Sequence, residues 1–294
     1  MRKEVSSANL TAARALGRAL VYGNLFVALC AASLVCCTLA LAGHPLWHPL
    51  VGLVACATLF VYSLDRVAGA APEDRVDPSP RLAWLARHAG AARMLGALGA
   101  LGTGAFALML PARLLVPLVP LGAISVAYGV PIVPWKGGWR RLKDIPGLKV
   151  FLIALVWATA TVTLPLMSIA EDWAQPQYLG LFARRALFIL AITLPFDVRD
   201  AARDADAGVR TLPHVLGPKH TRAVAWALMA GCVALDAWRA QAQAPLLVAS
   251  AISVACTCAL LLFMTRPRHD MYYALGLDGV MLAHTLCVVG ALSL

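Results

Sequence analysis

The sequence predicts an all-α membrane protein, a bundle of about nine transmembrane helices built as four plus four with one added. Three observations predict it. Of the 294 residues, 61% are hydrophobic and 14% charged, which leaves too little polar surface for a water-soluble domain. The apolar residues fall into stretches near the ~20 residues that a bilayer-crossing helix requires, separated by charged or proline-rich breaks. The acidic residues, only 15 in all, gather mainly in two clusters with four of those stretches between them.

The spans expected are 20–42, 49–64, 91–110, 114–131, 147–170, 186–196, 223–238, 245–265 and 271–294. The first is longer than the ~15-residue apolar core of a signal peptide and lacks a convincing cleavage site, so it reads as a retained helix. The second ends at the first acidic cluster. In the third, the run Gly96, Gly99, Gly102, Gly104 reads as a close-packing stripe. A nucleotide loop would need a preceding strand and a following helix start, and neither is present. The sixth is short but can begin near Tyr178. The ninth carries Asp278 and His284, six residues apart. A carboxylate inside a membrane is by default a functional-site hypothesis; a neutral Asp bonded to a neighbouring helix, or one near the outer third of the span, is the plainer alternative. All eight cysteines lie in apolar spans without CxxC spacing, where a thiol acts as a small hydrophobe.

Orientation follows from Lys and Arg, which cytoplasmic loops accumulate. By this assignment 21 of the 25 fall on one face, leaving Arg113, Arg184, Arg185 and Arg239 for loops on the other. The expectation is a single transmembrane domain over 1–294. A cytoplasmic segment 1–19, acidic loops 65–90 and 197–218 and a basic loop 132–146 share the cytoplasmic side, and the C-terminus lies outside. Such a chain is an integral multi-pass protein, of the inner membrane if bacterial. Its net charge of +10 is dispersed over short loops with no aromatic stacking platform, which excludes nucleic acid as a partner. Membrane lipid or a phosphorylated substrate fits better.

The sharpest chemical signal follows the sixth span. Asp197, Asp200 and Asp204 are spaced three and four apart, so on a helix they share one face. Clustered carboxylates repel one another unless a cation sits among them, and Mg²⁺ is a hard ion held by one or two carboxylates plus phosphate oxygens and water. Arg199, Arg203 and Arg210 interleave and can meet phosphate in forked geometry. The combination reads as a diphosphate site; on spacing alone, a solvated loop of mutually neutralising charges remains equally open.

Residues 196–217, FDVRDAARDADAGVRTLPHVLG, resemble the second aspartate-rich motif of the UbiA-type membrane prenyltransferases, NNxRDxxxDxxxGxRTLxxxLG. Arg199, Asp200, Asp204, Gly208, Arg210, Thr211, Leu212 and Gly217 fall in place, with Asp197 where the family often has Asn. The family's first motif, NDxxDxxxD, maps onto 61–69, where Asp65 and the following Arg66 remain while Val61, Tyr62 and Gly69 replace three expected ligands. Glu73, Asp74 and Asp77 follow just downstream. The stretch from Tyr128 to Lys149 is similar to the family's Tyr, Pro and basic segment, with Arg140, Arg141, Lys143 and Lys149 as phosphate-binding candidates, although positive-inside topology alone would also produce it.

The resemblance implies a nine-helix bundle and Mg²⁺-assisted transfer of a prenyl group from a polyprenyl diphosphate to a lipophilic acceptor. It implies Asp65, Asp200 and Asp204 as metal ligands, Asp197 in support, and Arg66, Arg141, Lys143, Arg199 and Arg210 on the diphosphate. The acceptor is often an aromatic ring in the family, with sugar-phosphate and porphyrin-type acceptors also known. Two other classes stay open: a transporter or lipid-binding bundle, and a non-catalytic relative whose eroded first motif marks lost activity.

Overall fold

The computed structural model describes residues 15–68, 80–135, 138–170, 172–206, 209–240 and 244–293. They form helices α1 (Ala15–Tyr22), α2 (Leu25–Leu41), α3 (Pro49–Ala68), α4 (Pro80–Arg87), α5 (Ala89–Leu108), α6 (Ala112–Gly129), α7 (Lys149–Ile169), α8 (Pro176–Asp206), α9 (Leu212–Ala240, two helical stretches joined by a kink at Gly217, φ 75°), α10 (Ala244–Leu261) and α11 (Tyr272–Leu292). Nine of these, α2, α3 and α5 to α11, are long helices among the described residues. Six are long and apolar enough to cross a bilayer by themselves, seven when α1 and α2 are taken as one span bent by 62°. The chain is an integral multi-pass membrane protein.

Neighbour contacts run α2, α3, α6, α7, α8, α9, α10, α11 and back to α2, closing a ring, with α5 packed on α3. The closest pairings, α3 with α5 and α8 with α9, join the second and third helices of each group of four. The glycine run of α5 makes the first pairing possible. A Cβ on Gly99 would lie 2.8 Å from the Phe60 amide nitrogen and 2.9 Å from the Cys56 carbonyl, distances at which real side chains do not fit. Gly104 alone of the run faces open space. Apolar side chains of α2, α7, α8, α9, α10 and α11 fill the larger core, while α5 and α6 leave most of their surface to lipid.

Backbone breaks have local causes. Asn24 adopts φ 64°, a left-handed conformation that Asn tolerates better than most residues, and this separates α1 from α2. In α7 the helix widens to π geometry over Thr159–Thr163 just before Pro165. Proline cannot donate to the carbonyl four residues back, and that carbonyl, of Thr161, instead accepts the Thr38 hydroxyl of α2 at 2.6 Å. A hydroxyl partner of this kind is how a membrane helix tolerates a freed backbone group.

Several boundaries differ from expectation. Strands β1 (Val133–Trp135) and β2 (Gly138–Arg140) form a short antiparallel hairpin inside the basic loop, so the chain is not wholly helical. The acidic stretches are largely helical too: α3 continues to Ala68, α4 fills part of 65–90, and α8 runs unbroken through Asp206. The cytoplasmic segment proposed over 1–19 is helical from Ala15. The sixth span begins at Pro176, which places Arg184 and Arg185 inside α8 and not in a loop. Asp278 stands at the start of the regular part of α11, at the end of the bundle that carries the aspartates. Its electrostatic neighbours there are Arg81 and Arg199, which rules out a place in the far third of the span.

Candidate active site

Helix α8 is 31 residues long, about 46 Å at 1.5 Å per residue, whereas the bilayer's hydrocarbon core is about 30 Å thick. The surplus carries the second acidic motif beyond the apolar layer as a continuation of the same helix past Pro195. Its three carboxylates therefore share one helical face, as their spacing predicted. The extension is capped where the Val209 amide donates to the Asp204 carbonyl at 2.8 Å.

The chain between α6 and α7 folds over this face. In it, Arg141 caps a short helical turn and forks onto Asp144 at 2.8 and 2.9 Å, which braces the turn and presents Lys143. Lys143 Nζ donates to Asp65 near the end of α3 and lies 5.9 Å from the ring centre of Tyr128. Lys149, at the start of α7, sits 2.9 Å from Asp197 Oδ1 and 3.4 Å from Asp204 Oδ2. One basic segment thus ties α3 to α8, and the Gly147 amide adds a bond to the Arg210 carbonyl at 3.2 Å. Tyr128 lies within electrostatic range of Asp65, Asp197, Asp200 and Asp204, so both acidic motifs converge on one end of the bundle.

Gly129 is what lets α6 come so close. A Cβ there would stand 2.9 Å from Asp65 Oδ1 and 3.1 Å from its Cβ. Arg199 forks onto Asp200 at 2.8 and 3.0 Å, and its guanidinium lies over Phe196 and Tyr273 at 5.3 and 4.7 Å from the ring centres. Arg210 projects to the exposed surface. The side chains of Arg66 and Arg203, and residues Glu73, Asp74, Asp77 and Gly208, lie outside the described residues.

The donor set suits a hard divalent cation. Asp197, buried to 2% exposure, and Asp204 already hold one cationic group between them, the Lys149 ammonium. Asp65 holds a second. Among the described residues no three carboxylates meet at one point. Asp65, Asp200 and Asp204 are each engaged by a different cation, so a metal here would be held by one or two carboxylates with the remaining positions left to phosphate oxygens and water.

Two contributors were not apparent from the sequence. Tyr273 supports Arg199 from α11, 74 residues further on, and no local pattern announces such a contact. Asn24 accepts from Arg81 at 2.6 Å and donates to Ser63 at 3.4 Å, joining the α1–α2 break to α3. A polar residue amid an apolar run was the available signal.

No protein-family profile and no curated protein sequence matches the chain. Among solved structures it is similar to a UbiA homologue from Aeropyrum pernix K1, with a TM-score of 0.65 at 19% identity over 90% of this chain and 96% of that one. It is similar as well to a UbiA homologue from Archaeoglobus fulgidus bound to GPP and Mg²⁺, with a TM-score of 0.60 at 15% identity over 94% of this chain and 100% of that one. A digeranylgeranylglyceryl phosphate synthase gives a TM-score of 0.59 at 16% identity over 95% and 99% of the two chains. The chain therefore has the fold of the UbiA-type membrane prenyltransferases.

Proposed function

We propose that the protein is a Mg²⁺-dependent prenyltransferase that binds a polyprenyl diphosphate at the aspartate end of the bundle and passes its prenyl group to a lipophilic acceptor. The observation that carries this reading is the bridge of Lys143 and Lys149, which links Asp65 on α3 to Asp197 and Asp204 on α8 at one end of the helix ring. The GPP and Mg²⁺ bound by the Archaeoglobus fulgidus homologue support it.

Bound Mg²⁺ would neutralise charge between the carboxylates and the diphosphate. Asp204 and Asp65 are its first candidates, with Asp197 and Asp200 beside them. Lys143, Lys149 and Arg199 now spend their charge on carboxylates and would turn it to diphosphate oxygens, joined by Arg210 and the Arg141 turn. Positive groups aimed at the leaving diphosphate lower the barrier to breaking the carbon–oxygen bond, because negative charge grows there in the transition state. The apolar interior keeps water from capturing the allylic cation, which the acceptor's nucleophile then attacks, losing a proton to solvent at the polar end.

The test is Mg²⁺-dependent binding of a non-hydrolysable prenyl diphosphate by isothermal titration. Asp200→Asn and Asp204→Asn should each weaken binding at least tenfold, since an amide keeps the shape but loses the charge that a divalent ion requires. Metal-independent binding, unchanged in both variants, refutes the proposal. The loss of three first-motif ligands at Val61, Tyr62 and Gly69 favours a second reading, a lipid binder without turnover. Formation of a prenylated product, followed by mass spectrometry, separates the two.

A further inference from the structure

The end of the bundle away from the aspartates carries a second concentration of charge that the proposed reaction does not use. Arg184 and Arg185 precede Asp197 by 13 and 12 positions on α8, about 18 to 20 Å along the helix. Both are buried, at 1% and 0% exposure. Asp236 of α9 answers part of this charge. Arg184 Nε donates to Asp236 Oδ2 at 3.1 Å, the Ser250 hydroxyl of α10 donates to the same oxygen, and Arg239 Nη1 lies 3.8 Å from Asp236 Oδ1. Arg184 Nη2 is 3.4 Å from His284 Nδ1 on α11, and its guanidinium lies over Phe188.

Arg185 is in a different position. Its Nε, Nη1 and Nη2 have no hydrogen-bond partner among the described residues, and neither has Arg184 Nη1. The Cys37 thiol of α2 faces Arg185 but is at best a weak acceptor. Asp236 thus answers Arg184 and Arg239, and no carboxylate among the described residues bonds Arg185. A guanidinium does not shed its proton in a protein, and an unpaired charge in an apolar interior is expensive, so the excess calls for an anion. The fork geometry of Arg matches phosphate and carboxylate oxygens. Arg239 offers an approach, since it is partly exposed and bonds the Gln177 carbonyl near the start of α8.

We propose that this end of the bundle binds a phosphate-type oxyanion, held by Arg185 and Arg184 Nη1 and entering past Arg239. Two sources share this chemistry, a membrane-lipid headgroup and free inorganic phosphate. The experiment uses the full chain, purified in detergent and stripped of lipid. Its thermal midpoint is followed as inorganic phosphate replaces chloride at constant ionic strength. In parallel, native mass spectrometry of the unstripped protein reads retained phospholipid.

A saturable rise with phosphate that is lost in Arg185→Gln and kept in Lys143→Gln assigns free phosphate to this site and not to the aspartate end. Phospholipid retained by the wild type and lost in Arg185→Gln assigns a headgroup. Should Arg185→Gln fail to fold, Arg239→Gln should raise the half-saturating phosphate concentration, or lower lipid retention, several-fold. A wild type indifferent to phosphate and free of bound phospholipid overturns the proposal, as does a phosphate response that survives both arginine substitutions.

Discussion

Gly129→Ala is the most discriminating single change available. The added methyl would stand 2.9 Å from Asp65 Oδ1, 3.1 Å from Asp65 Cβ and 3.2 Å from its Cα. Ordinary carbon contacts begin near ~3.5 Å, so the carboxylate must retreat by roughly half an ångström, or α6 must tilt away from α3. Overpacking of this kind costs about 1–3 kcal/mol. The functional cost should be larger than that of a mere packing defect, because Asp65 Oδ1 is also the acceptor for Lys143, and a displacement of about 1 Å at a reacting centre costs on the order of 100-fold. A loss of 10- to 100-fold in kcat/KM, with weakened Mg²⁺-dependent diphosphate binding, is expected. Gly96→Ala is the control, since its Cβ would press on Ser63 Cβ at 3.1 Å, on the same helix as Asp65 but not on the carboxylate. Thermal midpoints and binding isotherms of both variants decide the matter. If Gly129→Ala binds as well as the wild type, or loses no more binding than Gly96→Ala at equal destabilisation, the idea that Gly129 sets the position of Asp65 is wrong.

Two further outcomes follow from the same structure. Thr38→Val removes the hydroxyl that satisfies the Thr161 carbonyl in the π segment of α7 and should cost about 1–3 kcal/mol; a thermal midpoint unchanged within error would mean that water or another group already serves that carbonyl. Cysteines introduced at Ser79 and Ala207 in a background without native cysteines should escape a membrane-impermeant thiol reagent in intact cells, while one at Asp172 should react, and the reverse pattern would invert the proposed orientation.

How much of this was legible in the sequence depended on the range of the interaction. The glycine run and the shared face of Asp197, Asp200 and Asp204 are consequences of helical periodicity; Gly96, Gly99 and Gly102 pack closely as read, while Gly104 faces open space. The span around Arg184 and Arg185 was misjudged because hydropathy counting treats a charged pair as a span boundary. What allows the pair inside is partly Asp236, 52 residues from Arg184, a partner that no local window contains. The Lys149 bridge was equally hidden. Its loop looked like ordinary positive-inside bias, and only folding of the α6–α7 connection over α8 distinguishes an ammonium aimed at two carboxylates from one left in solvent. The hairpin at 133–140 lacked the alternating apolar pattern that marks a strand pair.

The length of α8 makes the site responsive to the membrane itself. A helix longer than the local hydrocarbon layer accommodates by tilting, at modest cost per ångström of mismatch. Asp197 and Asp204 ride on this one helix, just past Pro195, whereas Lys149 and Lys143 belong to α7 and the chain before it. About 20 Å of helix separates Arg184 from Asp197, so a further tilt of about 5° pivoting near Arg184 would swing the carboxylates by nearly 2 Å against their lysines. On the proposed function, bilayer thickness would thereby become a control on diphosphate affinity, and the same protein would grip its substrate differently in thin and thick membranes without any change in sequence.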